Sequence, residues 1–202
     1  MFGFILSQIK NRNGLFANYN FSSIMCDDLE KEIADFIAID SISKKIVLIH
    51  IKNNKSVGSS ASAFQDVCGQ AQKNIHYLIS NDIENKQNIE DHIKRWDTTW
   101  NNTKKYEDAT GKSIEVKFEC KRRCKGRLKG NGFWESYKNI LKSPDVSKEV
   151  WLITKSLSRQ KLVSELNKEK PEEHINQLLW ILYGTQEVLG EVGADLKVIC
   201  CE

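Results

Sequence analysis

Two apolar runs constrain this chain most: Ile33-Ala-Asp35-Phe-Ile-Ala-Ile39 and Ile46-Val-Leu-Ile-His50-Ile51, joined by the polar stretch Asp40 to Lys44. Short runs rich in β-branched residues, bounded by polar punctuation, read as two strands joined by a tight connection. Residues two apart on a strand share a face. His50 and Lys52 therefore project together, while Val47, Ile49 and Ile51 point the other way. The flanks of Asp35, namely Ala34, Phe36 and Ile37, make its strand a mostly buried one, where an unpaired carboxylate is expensive.

Around this hairpin the pattern alternates between helix and strand. Phe2, Ile5, Leu6 and Ile9 have helical spacing over residues 2–11, and Leu15 to Met25 reads as a strand. Cys26-Asp27-Asp28 is a polar turn. After a polar loop from Asn53 to Ser60, Ala63, Val67, Ala71, Ile75 and Leu78 predict an amphipathic helix from Ala61 to Ile79. Residues 81–145 are more polar, yet they carry Trp96, Trp100, Phe118, Phe133, Trp134 and Tyr137. That aromatic content argues for packed structure, with Ile89 to Trp100 helical and Ser113 to Cys120 either strand or helix. Glu149 to Thr154 reads as a buried strand, and Ser158 as the cap of a helix through Leu166. A longer helix follows from Glu172 to Leu189 with Ile175, Leu178, Leu179 and Leu182 inward, then a closing strand from Leu196 to Cys200.

At 202 residues the expectation is one α/β domain over residues 1–202, with a core of 1–80 and 146–202 and an insertion at 81–145. The net charge of +3 is too small to name a partner without its local distribution. The start lacks the basic leader and cleavage site of a signal peptide, and no apolar run reaches the roughly 20 residues of a bilayer span. The six cysteines form no regular disulfide framework. Reduced thiols in a cytoplasm are the expectation, with no membrane association. Cys120 and Cys124 have poor spacing for zinc, and no nucleophile elbow, P-loop or dinucleotide glycine motif is present.

Hydrolysis of a phosphodiester needs an activated water, a Lewis acid beside the phosphate and relief of negative charge. A carboxylate with a second ligand across the groove makes a site for a hard divalent ion, and a neighbouring lysine steadies the water or the transition state. Asp35, His50 and Lys52 match those roles, with Glu32 as an outer metal ligand if the strand start bends or bulges. His50 has two readings: a metal ligand as neutral imidazole, or a hydrogen-bond partner of Asp35. A nitrogen ligand favours Mn²⁺ over Mg²⁺, although waters and phosphate oxygens can complete a magnesium shell.

The pattern resembles the PD-(D/E)XK nuclease superfamily, in which a strand aspartate precedes an acid-x-lysine motif by one hairpin. Asp35 matches the first position, Ile51 the spacer and Lys52 the lysine; His50 departs from the usual Asp or Glu. Cys26 to Ile37, Ile49 to Lys52, Ser62 to Asn74, Val150 to Ser158 and Gly193 to Cys200 resemble a His-x-Lys branch associated with bacterial restriction and phage-defence systems. The resemblance implies a restriction endonuclease-like αβββαβ core with a mixed central sheet, a basic polar insertion and a C-terminal helix-strand extension. It further implies a metal-dependent nuclease using Mg²⁺ or Mn²⁺ on DNA, with a helicase or another defence subunit as the expected partner. In the family, the helix after the motif lends residues near the phosphate or water; Gln70 is the best match, then Lys73 and Asn74. Gln70 has an equally simple reading as a packing or capping residue.

Lys121-Arg122-Arg123-Cys-Lys125-Gly-Arg127-Leu-Lys129 is a basic run without an acid. Alone it describes a solvated surface. Beside a nuclease site, with Phe133 and Trp134 near, it is expected as a loop gripping the DNA backbone without reading sequence. The competing expectation is a nuclease-fold module that has lost catalysis through His50 and serves DNA binding or complex assembly.

Overall fold

The computed structural model describes residues 2–11, 14–27, 32–52, 61–79, 83, 87–107, 113–121, 123–154 and 157–200. The loop expected from Asn53 to Ser60, with its serine caps, lies outside the described residues. Helix α1 (Phe2–Asn11) leads to strand β1 (Ser23–Cys26), and β2 (Phe36–Asp40) and β3 (Lys45–Lys52) form the expected hairpin. Helix α2 (Ala61–Lys73), a 3-10 turn (Ile75–Leu78) and α3 (Gln87–Lys94) follow. Next come β4 (Thr99–Glu107), β5 (Ser113–Lys121), β6 (Arg123–Lys125) and α4 (Gly130–Leu141). The chain closes with β7 (Ser147–Thr154), α5 (Arg159–Leu166), α6 (Glu173–Gly190) and β8 (Ala194–Cys200).

The molecule is α/β, built on a six-stranded mixed sheet of order β6-β1-β2-β3-β7-β8, while β4 and β5 pair apart as a two-stranded ribbon. β1, β2 and β3 run antiparallel in sequence; β7 lies parallel to β3, and β8 parallel to β7. Parallel neighbours need crossover connections. The first carries α2, α3 and α4, and the second carries α5 and α6.

Strand alternation sorts the core into two layers. Ile37, Ile39, Ile46, Leu48, Val150 and Leu152 pack in a cluster with Phe64, Val67, Tyr137, Leu178 and Leu189 from α2, α4 and α6. Phe36, Ala38, Val47, Ile49, Trp151 and Ile153 pack on the opposite face with Ile5, Leu6 and Ile9 of α1. Both faces being covered explains why the central strands read as nearly continuous apolar runs. The hairpin turn is set by Asp40, whose carboxylate accepts from the Ile42 amide at 3.0 Å and the Ser43 hydroxyl at 2.7 Å. Such Asx bonding closes tight turns, and Lys44 completes this one at φ 52°.

Four expectations need correction. Leu15 to Met25 is not one strand: a 3-10 turn (Gly14–Phe16) precedes the short β1. Tyr19, stacked on Phe21 at 5.3 Å, meets Trp151 edge-on at 4.8 Å. Ring packing, rather than ladder pairing, places those aromatics. The helix expected to Ile79 stops at Lys73, because Asn74 turns its side-chain amide onto the Ile33 carbonyl at 2.7 Å. The helix expected from Ile89 to Trp100 ends at Lys94, where the Thr98 hydroxyl takes the Arg95 carbonyl at 2.6 Å before β4 starts. Leu179 and Leu182 are only half-buried on α6, whereas Ile175, Leu178, Thr185 and Leu189 are buried. The open choice at Ser113 to Cys120 resolves as strand.

Ser158 caps α5 as expected, its hydroxyl accepting from the Lys161 amide. Within 81–145, Trp96, Phe133, Trp134 and Tyr137 enter the same core cluster as the central strands, and Tyr137 donates its hydroxyl to the Tyr77 carbonyl at 2.8 Å.

Candidate functional site

The hairpin register brings the first two candidates together. Phe36 pairs with Ile49, so one antiparallel step further sets Asp35 against His50. Asp35 itself lies just before β2, not within a strand as the sequence suggested. There its backbone carbonyl still accepts from Asp27 at 2.9 Å, and its Oδ2 accepts the Ile51 amide at 2.7 Å. The carboxylate thus continues the ladder past the end of β2.

His50 and Lys52 alternate with Ile49 and Ile51, so they share the face of Ile46 and Leu48, the face of β3 that α2 and α4 contact. His50 is buried, and its Nε2 has no hydrogen-bond partner among the described residues. Burial disfavours the imidazolium and pushes its pKa down to about 4, so the ring is neutral at pH 7. Lys52, at the strand end, is partly exposed and reaches Asp66 of α2 across 3.4 Å. Asp66 is itself mostly exposed, which makes the pair a weak tether.

Helix α2 buries Phe64, Val67, Cys68 and Ala71, leaving Gln65, Asp66, Gln70 and Lys73 in solvent. Asp66, Gln70 and Lys73 follow one another at helical spacing on one face. Asp66 is the residue that meets Lys52; Gln70, the expected supporter, is exposed one turn further on.

The approach to Asp35 is held by a polar network absent from the expectations. Asp27 is fully buried; its Oδ2 accepts the Ile33 amide at 2.7 Å. Its Oδ1 lies 2.8 Å from His92 Nε2 of α3, close enough for ion pairing but not aligned as a hydrogen bond. Asn74 donates to the carbonyls of Ile33 and Glu32 at 2.7 and 3.2 Å. Glu32 therefore sits on a loop pinned by its backbone, upstream of the bend at Asp35. The polar turn at Asp27 and an asparagine closing an apolar helix pattern were the available signals for this network. The link to His92 crosses from a distant element and left no local trace.

The basic run is not a single loop. Lys121 ends β5, and Arg123 to Lys125 form the edge strand β6, with Met25 opposite Arg123 and Ile24 opposite Lys125. A β-strand suits the run because its backbone completes the exposed edge of β1. Lys125 is half-buried, while Arg127 and Lys129 are exposed. Arg122 lies outside the described residues, as do the side chains of Lys121 and Arg123. Arg123 thus occupies the sheet edge on the β1 side of Asp35, two strands from β2.

Among the described residues, no group of three or more His, Cys, Asp and Glu side chains is placed to hold a metal ion. The donor chemistry of a smaller set is nevertheless suitable: a carboxylate and a neutral imidazole whose buried Nε2 lacks a protein partner. Two protein ligands leave the rest of a divalent shell to water and phosphate. No helix among the described residues is long and apolar enough to cross a membrane. No protein-family model, curated protein or solved structure matches the chain.

Proposed function

We propose that this protein is a metal-dependent nuclease of restriction endonuclease-like fold that hydrolyses DNA phosphodiester bonds, an effector in bacterial defence against foreign DNA. The carrying observation is the convergence of Asp35, His50 and Lys52 at one end of the β2–β3 hairpin, with an unpartnered, neutral imidazole among them. The sheet adds support: three antiparallel strands followed by two parallel to β3 match the order of an αβββαβ core. Asp35 and His50 would hold Mg²⁺ or Mn²⁺, which supplies Lewis-acid activation at the phosphate. Lys52 orients the attacking water or steadies the charge that develops, and Arg127 and Lys129 carry phosphate contacts. Incubating purified chain with DNA and either ion tests the reading. Cleavage lost in Asp35→Ala and Lys52→Ala is expected; cleavage undiminished in both would overturn it.

A second reading has its own observation. Burial of His50, with the Asp35 carboxylate engaged by the Ile51 amide, also suits a nuclease fold that binds DNA or a partner subunit without cutting. His50→Glu separates the two: cleavage gained implies a degraded site, whereas cleavage lost implies that histidine is the working ligand.

A further inference from the structure

Beyond the hairpin, the same end of the sheet holds a cavity of about 390 Å³, lined by Leu157, Arg159, Leu162, Leu182, Val198 and Cys200. Register fixes its place relative to the candidate site. His50 pairs across to Leu152 and Leu152 to Val198; Lys52 pairs to Thr154 and Thr154 to Cys200. All six lie on the helix-covered face that carries Leu48 and Val150. With neighbouring strands about 4.8 Å apart, the cavity floor lies roughly 10 Å from His50 and Lys52.

We propose that this cavity receives one unstacked base of the nucleic-acid strand whose phosphate sits at Asp35, His50 and Lys52; the inference rests on the nuclease reading. Four walls are aliphatic, which suits the flat face of a base, and the volume falls in the range of ligand pockets. Arg159 is exposed in the lining. Its guanidinium matches the anionic linkage entering with the base, or stacks on the ring. A base enclosed by such walls must leave its neighbours in the stack, as in enzymes that extrude a nucleotide. Among the described residues of the lining, the polar side chains are Arg159 and Cys200. Entry is therefore tolerant of base identity, because aliphatic walls offer no hydrogen-bond pattern to read.

A single-stranded DNA carrying the fluorescent base 2-aminopurine at successive positions, bound to the wild-type chain in EDTA, tests this without cleavage. The expected result is an emission change confined to one position. Making that position abasic is expected to weaken binding on the order of tenfold, the scale of a base-packing contact. Val198→Phe, which fills the cavity, removes the position-specific emission; Arg159→Ala, at an exposed site that leaves the core intact, weakens it. Equal emission at every position with no abasic penalty overturns the pocket while strand binding stands. Failure of the wild-type chain to bind any such strand overturns the pocket alone; the nuclease reading falls only on the cleavage assay with Mg²⁺ or Mn²⁺.

Discussion

The Asp35 carboxylate accepts the Ile51 amide at the point where β2 has run out, so its loss strands a backbone donor within the sheet. Asp35→Ala is expected to lower stability by about 1–3 kcal/mol, read as a shifted urea midpoint, and to end cleavage. Lys52→Ala should also end cleavage, yet cost under about 1 kcal/mol, because its ion pair with Asp66 is solvent-exposed. Equal destabilisation by the two would mean that Lys52 is structural. His50 behaves in the opposite sense. Its buried Nε2 has no partner, so His50→Leu should hold or raise metal-free stability, by about 1 kcal/mol at most, while abolishing cleavage. A clear loss of stability in that variant would show that the imidazole is held by the fold rather than kept for an ion.

At the scale of elements, the loop into Asp35 is fixed by α3 and by the end of α2, through His92 and Asn74. Asn74→Ala leaves the carbonyls of Glu32 and Ile33 without their donor. It is expected to cost about 1–3 kcal/mol and to speed amide hydrogen exchange at Ile33, which donates to Asp27. Unchanged exchange there would remove Asn74 from the positioning of Asp35. This network marks the boundary of what the sequence disclosed. The hairpin, β7, α5 with its Ser158 cap and β8 were legible because each rests on local periodicity or a local hydrogen bond. Asp66 opposite Lys52, Asn74 on Ile33 and His92 beside Asp27 depend on how separate elements pack, and periodicity carries no record of that. The strand overread from Leu15 to Met25 has the same origin. Its alternating aromatics satisfied a strand pattern, but their rings were placed by Trp151, far along the chain.

For the molecule as a whole, a buried carboxylate held by three donors lies away from the candidate site. Glu149 is buried on β7 and bonded by Lys45, by Lys197 at 2.9 Å and by the Trp151 indole at 2.7 Å. Burial alone would raise its pKa, but those three donors together hold it below the ordinary value of 4.5. As pH falls through 4.5, the unfolded chain takes up this proton before the folded one does. Stability contributed by Glu149 is therefore complete above that range and drains away below it. Glu149→Gln should be less stable at pH 7 and should flatten the acid limb of the stability profile. A parallel downward shift at every pH would remove Glu149 from the titration.

The parallel pairing of β3 with β7 also governs how the molecule is made. Lys45 finds Glu149 only 104 residues further along the chain, whereas β2 meets β3 across a few residues of turn. Contacts of such long separation form late and slowly. A nascent chain holding the β1–β3 meander has already drawn Asp35 and His50 together, yet the far edge of β3 still offers unpaired backbone groups and bare apolar faces. Until β7 emerges, that edge is open to strands of other chains. Synthesis halted before residue 147 should thus yield a product prone to aggregate, and refolding of the intact chain should be limited by the arrival of β7 rather than by closure of the hairpin.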